Sequence, residues 1–254
     1  MFKPVKVRDL AIGEGIPKIC VPMVGKTTKQ LVEEAKELTT LDYDVVEWRV
    51  DFFEQVEEIE KVKEALKEIR SVLPKAPLIF TFRSAREGGE KEVSSKYYKD
   101  LNLEILKTKE VDIIDVELFN DEENIKTLVS AAHENNVLVI ISNHDFDKTP
   151  DKNEIVSRLM KAQDLGADLP KIAVMPNNTA DVITLLDATR EMAESHANRP
   201  IITMSMAGKG VISRLAGEVF GSALTFGAAK QASAPGQIAV KQLKDALHLL
   251  HQSL

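Results

Sequence analysis

Short apolar runs alternate with longer amphipathic segments along the chain from residue 18 onward. Apolar runs rich in β-branched residues are typical of buried strands, whereas apolar positions recurring every three or four residues predict helices. Strands are predicted at residues 18–24, 44–50, 78–83, 112–117, 137–143, 171–175, 201–206 and 223–226. Helices are predicted at residues 28–39, 56–72, 94–108, 121–135, 151–165, 179–197 and 236–250, with a short one near 212–219. Good N-cap residues open several of these helices: Thr28, Asp121, Asp151 and Thr179.

This alternation predicts an α/β fold. Eight strand–helix pairs in 254 residues match the count and size of a closed (β/α)8 TIM barrel. An open doubly wound sheet is the alternative, although it usually has fewer strands. Residues 5–12 alternate apolar and polar side chains and end at Gly13-Glu14-Gly15, which predicts a small hairpin returning into the first strand. We expect one domain over residues 1–254, with this N-terminal hairpin closing the bottom of the barrel.

Composition excludes several classes of partner. The net charge is −7 and the chain has no basic tract, so nucleic acid is not an expected partner. No apolar run approaches the roughly 20 residues of a membrane span, and the N-terminus does not resemble a signal peptide. The single cysteine, Cys20, lies in an apolar run and is predicted to be inert core. We expect a cytoplasmic protein that acts on a small molecule.

The stretch Pro170-Lys171-Ile172-Ala173-Val174-Met175-Pro176 places one polar side chain in an otherwise apolar strand. In a parallel sheet both faces of a strand are covered, and burial disfavours the charged form of a lysine. A lysine that is neutral part of the time is a nucleophile whose main use is an imine with a ketone or aldehyde. The alternative is that Lys171 lies at the mouth of the strand and extends its ammonium group into water.

Other polar residues also fall at the ends of predicted strands, where a barrel of this type carries its active site. They include Glu47 and Arg49, Arg83, Asp115 and Glu117, and the run Asn143-His144-Asp145. A single such pair is often an internal ion pair, but charged residues at five of six consecutive strands favour a site. The seventh strand ends instead with the apolar Met204 and Met206. His144 could transfer protons next to an imine on the neighbouring strand.

Two loops contain residues suited to covering that site. Residues 81–90 follow the third strand and carry two glycines with Arg and Glu side chains that could reach over the mouth. Residues 228–237 follow the eighth strand, are rich in small residues and lie near Gly227 and Gly236, which is the composition of a mobile lid. Both loops are also compatible with ordinary surface turns.

Several motifs together resemble type I 3-dehydroquinate dehydratase over essentially the whole chain. They are Glu47-Trp48-Arg49-Val50-Asp51, Thr81-Phe82-Arg83-Ser84, Glu87-Gly88-Gly89, Ser142-Asn143-His144-Asp145-Phe146, the Lys171 strand, Met204-Ser205-Met206, Gly210-Val211-Ile212-Ser213-Arg214 and Gln231-Ala232-Ser233-Ala234-Pro235-Gly236-Gln237. The resemblance implies a (β/α)8 barrel, usually a homodimer, in the shikimate pathway of aromatic amino-acid biosynthesis. It further implies dehydration of 3-dehydroquinate to 3-dehydroshikimate through a lysine imine, with no metal and no cofactor.

The resemblance also implies a role for each matching residue. Lys171 is the imine-forming lysine, His144 the general acid/base, and Glu87 the residue that orients His144. Arg214 binds the substrate carboxylate. Glu47, Arg49 and Arg83 hold the ring hydroxyls and each other, Ser233 and Gln237 come from the lid, and Met204, Met206 and Phe226 form the apolar wall. One departure is Val21-Pro22-Met23, because many relatives carry a hydroxyl residue near the position of Pro22.

Three alternatives remain open at the level of sequence. A class I aldolase-type barrel also uses an imine lysine, and Gly208-Lys209-Gly210 would then bind a phosphate. A metal-dependent isomerase would use Glu47, Asp115, Glu117 and His144 as ligands. A barrel that binds a ligand without turnover needs no reactive lysine.

Overall fold

The computed structural model describes residues 3–229 and 236–254. Its strands are β1 (Val5–Val7), β2 (Leu10–Ile12), β3 (Lys18–Met23), β4 (Val45–Arg49), β5 (Leu78–Thr81), β6 (Ile113–Glu117), β7 (Leu138–Asp145), β8 (Leu169–Val174), β9 (Ile202–Ser205), β10 (Leu224–Ala228) and β11 (Ile238–Ala239). Its helices are α1 (Thr28–Leu38), α2 (Ile59–Val72), α3 (Ser95–Thr108), α4 (Glu122–Glu134), α5 (Lys152–Asp164), α6 (Thr179–Glu191), α7 (Val211–Leu215), α8 (Gly217–Phe220) and α9 (Val240–His251). All eight predicted barrel strands are confirmed.

The strands from β3 to β10 form a parallel barrel. In the sheet, β10 pairs with β3, and each later strand pairs with the next as far as β9. The gap between β9 and β10 is bridged by parallel pairing of Ile201 with Ser222, and the Ala223 N–H donates to the Ile201 carbonyl at 2.8 Å. The predicted closed (β/α)8 barrel is therefore confirmed, because the curled sheet meets itself at this bridge.

The N-terminal hairpin lies within residues 5–12. Strands β1 and β2 pair antiparallel around a turn at Arg8, which has a positive φ of 51°. The predicted turn at Gly13-Glu14-Gly15 was wrong, because β3 pairs in parallel with β4 and β10 and does not pair with the hairpin. Val7 and Ile12 join the cluster of inward-facing apolar residues that includes Cys20 and Leu169. The hairpin thus closes the bottom of the barrel as predicted.

The helices cover the outside of the barrel with amphipathic faces. In α2, for example, Val62, Leu66 and Ile69 are buried while the intervening charged positions are mostly exposed. Apolar residues on the outward faces of the strands, among them Trp48 and Phe80, pack into the same layer. Within the described residues, no helix is both long and apolar enough to cross a membrane.

Several helix boundaries differ from the prediction because local hydrogen bonding decides them. The N-caps of α1 and α6 are Thr27 and Asn178, one residue before the predicted Thr28 and Thr179, since these side chains accept the free N–H groups of the first turn. Asp121 and Asp151 cap α4 and α5 as predicted. The last helix begins at Val240, after β11, and α6 ends at Glu191, where a π-helical turn (Met192–His196) follows.

Candidate active site

One pocket at the C-terminal ends of the barrel strands brings together most of the predicted site residues. Its walls include Glu47, Arg49, Arg83, Glu87, His144, Lys171, Met204, Met206, Phe226 and Gln237. These side chains come from distant parts of the sequence, and the parallel arrangement of strands directs their ends to one face. Ser233 and the predicted lid at residues 230–235 lie outside the described residues.

Lys171 lies on β8, between β7 and β9, and its side chain is buried as predicted. Its Nζ lies 3.3 Å from Asp115 Oδ2 and 4.0 Å from Glu47 Oε1. The same atom lies 4.7 Å from the centre of the Phe226 ring. Two carboxylates and an aromatic face therefore stabilise a positive charge on this nitrogen, although burial opposes it. The amine is held at the wall of the pocket and does not extend into water.

His144, which is partly buried, forms a pair with the buried Glu87 beside the lysine. The backbone N–H of His144 donates to Glu87 Oε2 at 3.0 Å, and the ring Nδ1 lies 3.0 Å from the same oxygen. This contact orients the ring and leaves Nε2 as the second ring nitrogen for a ligand. Register also places His144 opposite Ala173 on β8, two residues beyond Lys171. The predicted proximity of His144 to the lysine strand is confirmed.

The electrostatics of the pair disfavour two opposite charges. Burial, together with the Glu117 carboxylate, raises the pKa of Glu87 from 4.5 to about 8. Burial, followed by the charges of Arg83, Lys171 and Arg49, lowers the pKa of His144 well below its ordinary value. Both shifts favour a neutral imidazole near pH 7. Such an imidazole can accept a proton from a ligand. The adjacent Glu87 carboxyl group can then lose its own proton and balance the new positive charge.

The loop that carries Glu87 is closely packed. Glu87 lies at the end of a 3₁₀ turn (Ala85–Glu87) and is 2% exposed. Gly88 has φ of +83°, and a Cβ there would lie 2.4 Å from the ring of Phe146. A Cβ at Gly89 would lie 1.9 Å from the carbonyl oxygen of Arg83. The glycines therefore let the turn pack closely, and Glu87, one of the loop side chains expected to reach the mouth, lines the pocket.

Arg49 and Arg83 are held by carboxylates other than the expected ones. Arg49 donates two hydrogen bonds to Asp51, both 2.8 Å long, in a fork. Arg83 donates to Asp115 and Glu117, each at 2.9 Å. Burial lowers the pKa of Arg83, but these two anions outweigh it and the net shift is well above the ordinary value.

Glu47 has different neighbours again. It accepts a hydrogen bond from Thr81 Oγ1 at 2.9 Å and lies next to Lys171. An ion pair between Glu47 and Arg49 was one interpretation of the sequence, but the Arg49 fork binds Asp51. The expectation that Glu47, Arg49 and Arg83 hold each other was wrong, because each has a separate partner.

The apolar side of the pocket is formed by Met204, Met206 and Phe226, all of them buried. Arg214 on α7 lies behind this wall, with one guanidinium nitrogen 3.9 Å from the sulfur of Met204. Burial lowers its pKa to about 10, and it is 1% exposed. Arg214 contacts a residue of the pocket wall but is not among the side chains that line the pocket.

Four residues of this region had no assigned role in the predicted site. Asp115 contacts Lys171, while Gly88, Phe146 and Ala173 line the pocket. The signal for Asp115 was present, since its position at a strand end two residues before Glu117 was evident in the sequence. Phe146 and Gly88 belong to motifs that carry the family resemblance, but nothing in their residue types indicated that they pack on each other.

The geometry does not suit the metal-dependent isomerase or the phosphate loop of an aldolase-type barrel, because the residues that each would use have other partners. The proposed metal ligands Asp115 and Glu117 are bound by Arg83, and His144 is bound by Glu87. In the part of the chain that the structure describes, no three or more potential ligand side chains converge as a metal site. Lys209, in the suggested phosphate loop, donates to the carbonyl of Asn177 at 2.9 Å.

Comparison with known proteins agrees with this geometry. The model of the type I 3-dehydroquinase family matches residues 19–254. A 3-dehydroquinate dehydratase from Bacillus licheniformis is 65% identical over the full length of both chains. A crystal structure of a type I 3-dehydroquinate dehydratase from Clostridium difficile is 61% identical, covers both chains completely and has a TM-score of 0.98. A 3-dehydroquinate dehydratase structure from Geobacillus kaustophilus is 38% identical, with a TM-score of 0.95 over 98% of this chain and 97% of its own.

A family model that spans nearly the whole chain, and relatives that share its full length, agree with the pocket built from the sequence motifs. The chain belongs to the type I 3-dehydroquinase family, whose activity is that of a hydro-lyase.

Proposed function

We propose that this chain removes water from 3-dehydroquinate to give 3-dehydroshikimate, and that the reaction passes through an imine on Lys171. The observation that carries the proposal is a buried amine in the same pocket as an imidazole that the Glu87 carboxyl group orients. Members of the family are named for this dehydration, and the relative from Clostridium difficile was solved with covalently modified comenic acid. A covalent route on this lysine is consistent with that relative.

The first stage joins the lysine to the substrate ketone. Nζ attacks the carbonyl carbon, the C–N bond forms, and the carbonyl oxygen leaves as water after taking up two protons. The overall change converts an ammonium and a ketone into a protonated imine and water, so the positive charge stays on nitrogen. The cationic imine accepts electrons from the adjacent carbon, which makes a proton on that carbon easier to remove.

The second stage is elimination of the β-hydroxyl. His144 takes the proton from the carbon next to the imine, and the electron pair of that C–H bond forms an enamine. The enamine then expels the hydroxyl, which leaves as water after receiving a proton from His144. Positioned acid–base help of this kind typically contributes about 10²–10⁴-fold to the rate. Water then hydrolyses the imine and releases Lys171.

The remaining residues supply binding. The substrate is an anion with several hydroxyl groups, and the pocket offers Glu47, Arg49 and Arg83 on its polar side. Arg214 is assigned to the carboxylate, since a buried guanidinium is suited to a carboxylate fork. Met204, Met206 and Phe226 are assigned to the apolar ring face. Gln237 lines the pocket, and Ser233 is assigned with it from the sequence motif alone.

Borohydride trapping tests this function directly. Sodium borohydride is added with 3-dehydroquinate, and the protein is digested and mapped by mass spectrometry. Substrate-derived mass is expected on the peptide that contains Lys171. Lys171→Ala should fold and bind ligand but lose this mass and nearly all turnover. Lys209→Ala is the matched control, because Lys209 is exposed and bound to a backbone carbonyl. Modification of another peptide, with none at Lys171, would refute the proposal.

Four further expectations belong to this proposal. The homodimer implied by the resemblance predicts twice the monomer mass in light scattering. A single domain over residues 1–254 predicts one cooperative unfolding transition. Catalysis without metal or cofactor predicts full turnover after dialysis against a chelator. A cytoplasmic location is likewise a prediction from sequence and family, and is tested by fractionating cells that express the chain.

A further inference from the structure

Asp115 contacts Lys171 at the wall of the pocket, and the proposed function gives this carboxylate no role. It lies on β6 and is completely buried. Its Oδ1 accepts hydrogen bonds from Arg83 at 2.9 Å and from the Ser142 hydroxyl at 2.6 Å. Its other oxygen, Oδ2, accepts from Lys171 Nζ at 3.3 Å. One carboxylate oxygen is thus fixed by two donors, and the other faces the atom that reacts.

We propose that Asp115 is the positioning residue for Lys171 and the counter-ion of the cationic imine nitrogen, an inference that rests on the proposed function. Formation of the imine keeps the positive charge on Nζ but reduces its N–H bonds from three to one. An ammonium group can rotate and still present a donor to several acceptors. A protonated imine has a single N–H, which lies in the plane of the C=N bond.

Because the imine has a single N–H, Asp115 can orient the imine as well as balance its charge. When the single N–H points at Oδ2, the plane that contains the nitrogen and the substrate carbons next to the imine carbon is fixed. The C–H bond that breaks must stand roughly perpendicular to this plane so that its electrons can enter the C=N system. Asp115 therefore sets which C–H bond faces His144. An anion already in place also stabilises the charged intermediate without reorganisation.

Asp115 is suited to remain an anion throughout and is a poor base for Nζ. Burial raises the pKa of its carboxyl group, but Arg83, Lys171 and the hydrogen bonds outweigh this and the net shift is downward. Glu47 at 4.0 Å differs, because it accepts from the neutral hydroxyl of Thr81. We therefore assign the counter-ion role to Asp115 and leave proton transfer to His144.

Asp115→Asn tests the proposal, since it keeps the shape and removes the charge. We expect kcat to fall about 10²-fold or more, comparable to loss of one preorganised group that stabilises charge. We also expect borohydride trapping of 3-dehydroquinate to start at lower pH, because the amine loses an anion that favours its ammonium form. A purely structural role would lower the amount of folded enzyme without moving this pH midpoint.

Glu117→Gln is the matched control. Glu117 lies on the same strand, is equally buried and binds the same arginine, but it accepts its hydrogen bonds from Arg83 and the Ser84 N–H, not from Lys171. This variant should alter KM through Arg83 and leave the pH midpoint of trapping unchanged. Equal shifts of the midpoint in both variants, or a kcat of Asp115→Asn within about threefold of the unaltered enzyme, would overturn the proposal.

A measurement on the unaltered chain covers the case in which Asp115→Asn does not fold. A crystal structure of the covalent product complex should show the imine nitrogen within hydrogen-bond distance of Asp115 Oδ2. An imine nitrogen turned to Glu47, or away from both carboxylates, would refute the assignment. Failure of the unaltered chain to trap substrate would instead refute the proposed function, and this inference with it. Trapping of the unaltered chain with no effect at position 115 would refute the role of Asp115 and leave the function in place.

Discussion

Glu87 makes the folded chain less stable as the pH rises, and Glu87→Gln should remove that dependence. The carboxyl group has a pKa of about 8 when folded, against an ordinary value of 4.5 in the unfolded chain. When folding raises the pKa of an acid, the acid contributes to the free energy of unfolding, and this contribution is fully present at pH values below the pKa of the unfolded chain. That contribution is lost progressively as the pH rises from the unfolded value to the folded value, because over this range the unfolded chain ionises while the native state still holds its proton.

The size of this loss of stability follows from the folded and unfolded pKa values of Glu87. Each tenfold change in proton affinity is worth about 1.4 kcal/mol, so the full penalty is about 5 kcal/mol well above pH 8. At pH 7 it has reached about 3 kcal/mol, and between pH 6.5 and 8 it grows by about 2 kcal/mol. Glutamine has nearly the same shape as glutamate and does not ionise. The variant should therefore gain stability relative to the unaltered chain, and the gain should increase over this interval.

His144 has the opposite dependence, and the interval is chosen to separate the two. The pKa of His144 is depressed in the folded chain, so its contribution is present above its ordinary value of 6.5 and is lost as the pH falls below that. The causes of this depression are burial and the charges of Arg83, Lys171 and Arg49, all of which remain in Glu87→Gln. The difference between the two proteins above pH 6.5 therefore reports mainly Glu87.

Urea unfolding followed by fluorescence of Trp48, the single tryptophan and fully buried, gives the free energy of unfolding at each pH. In Glu87→Gln the carbonyl oxygen of the new side chain can still accept from the His144 N–H. The amide nitrogen of that side chain would take the place of Glu87 Oε1, which has no hydrogen-bond partner among the described residues. Any cost of that exchange is the same at every pH. A stability difference that stays constant from about pH 6.5 to 8 would refute the assignment of a raised pKa to Glu87.

Two further predictions concern turnover. His144→Ala should lower kcat by about 10²–10⁴-fold, because proton transfer is lost while Lys171 remains. The variant should either accumulate the covalent adduct that borohydride traps or form that adduct slowly. Normal turnover would rule out the role of His144. Gln237→Ala should raise KM about tenfold with little change in kcat, as expected when one hydrogen bond is lost equally from the bound substrate and the transition state. Trapping at Lys171 should survive in Gln237→Ala at saturating substrate, and a fall in kcat with KM unchanged would contradict this assignment.

The sequence could predict the barrel because parallel strands covered on both faces appear as short apolar runs. The run at 137–143, for instance, is found as β7, and its polar end extends the strand to Asp145. The boundaries of the helices were less predictable, because they depend on which side chain accepts a hydrogen bond from a free backbone N–H of the first turn. Asn178 and Thr179 are both acceptable caps, and the structure uses Asn178 because Asp181 completes a capping box with it.

The location of the site was also predictable, since polar residues at the C-terminal ends of barrel strands converge on one face. Side chains two positions apart on a strand share a side, and Glu47 and Arg49 accordingly both line the pocket. The pKa of Glu87 was not predictable. It depends on burial and on the Glu117 carboxylate, which is 30 positions away in sequence and comes close only when the loop after β5 folds onto the pocket.

The pairing of charges depends on register and side-chain size together, which no pattern along one strand contains. Lys171 on β8 is opposite Ser142 on β7, and Ser142 in turn contacts Asp115 on β6. Because serine is small, the lysine reaches past β7 to a carboxylate two strands away. A larger residue at position 142 would fill that space and direct the amine elsewhere. The identity of Ser142 therefore decides which anion Lys171 meets, although the sequence shows it as an ordinary polar residue near a strand end.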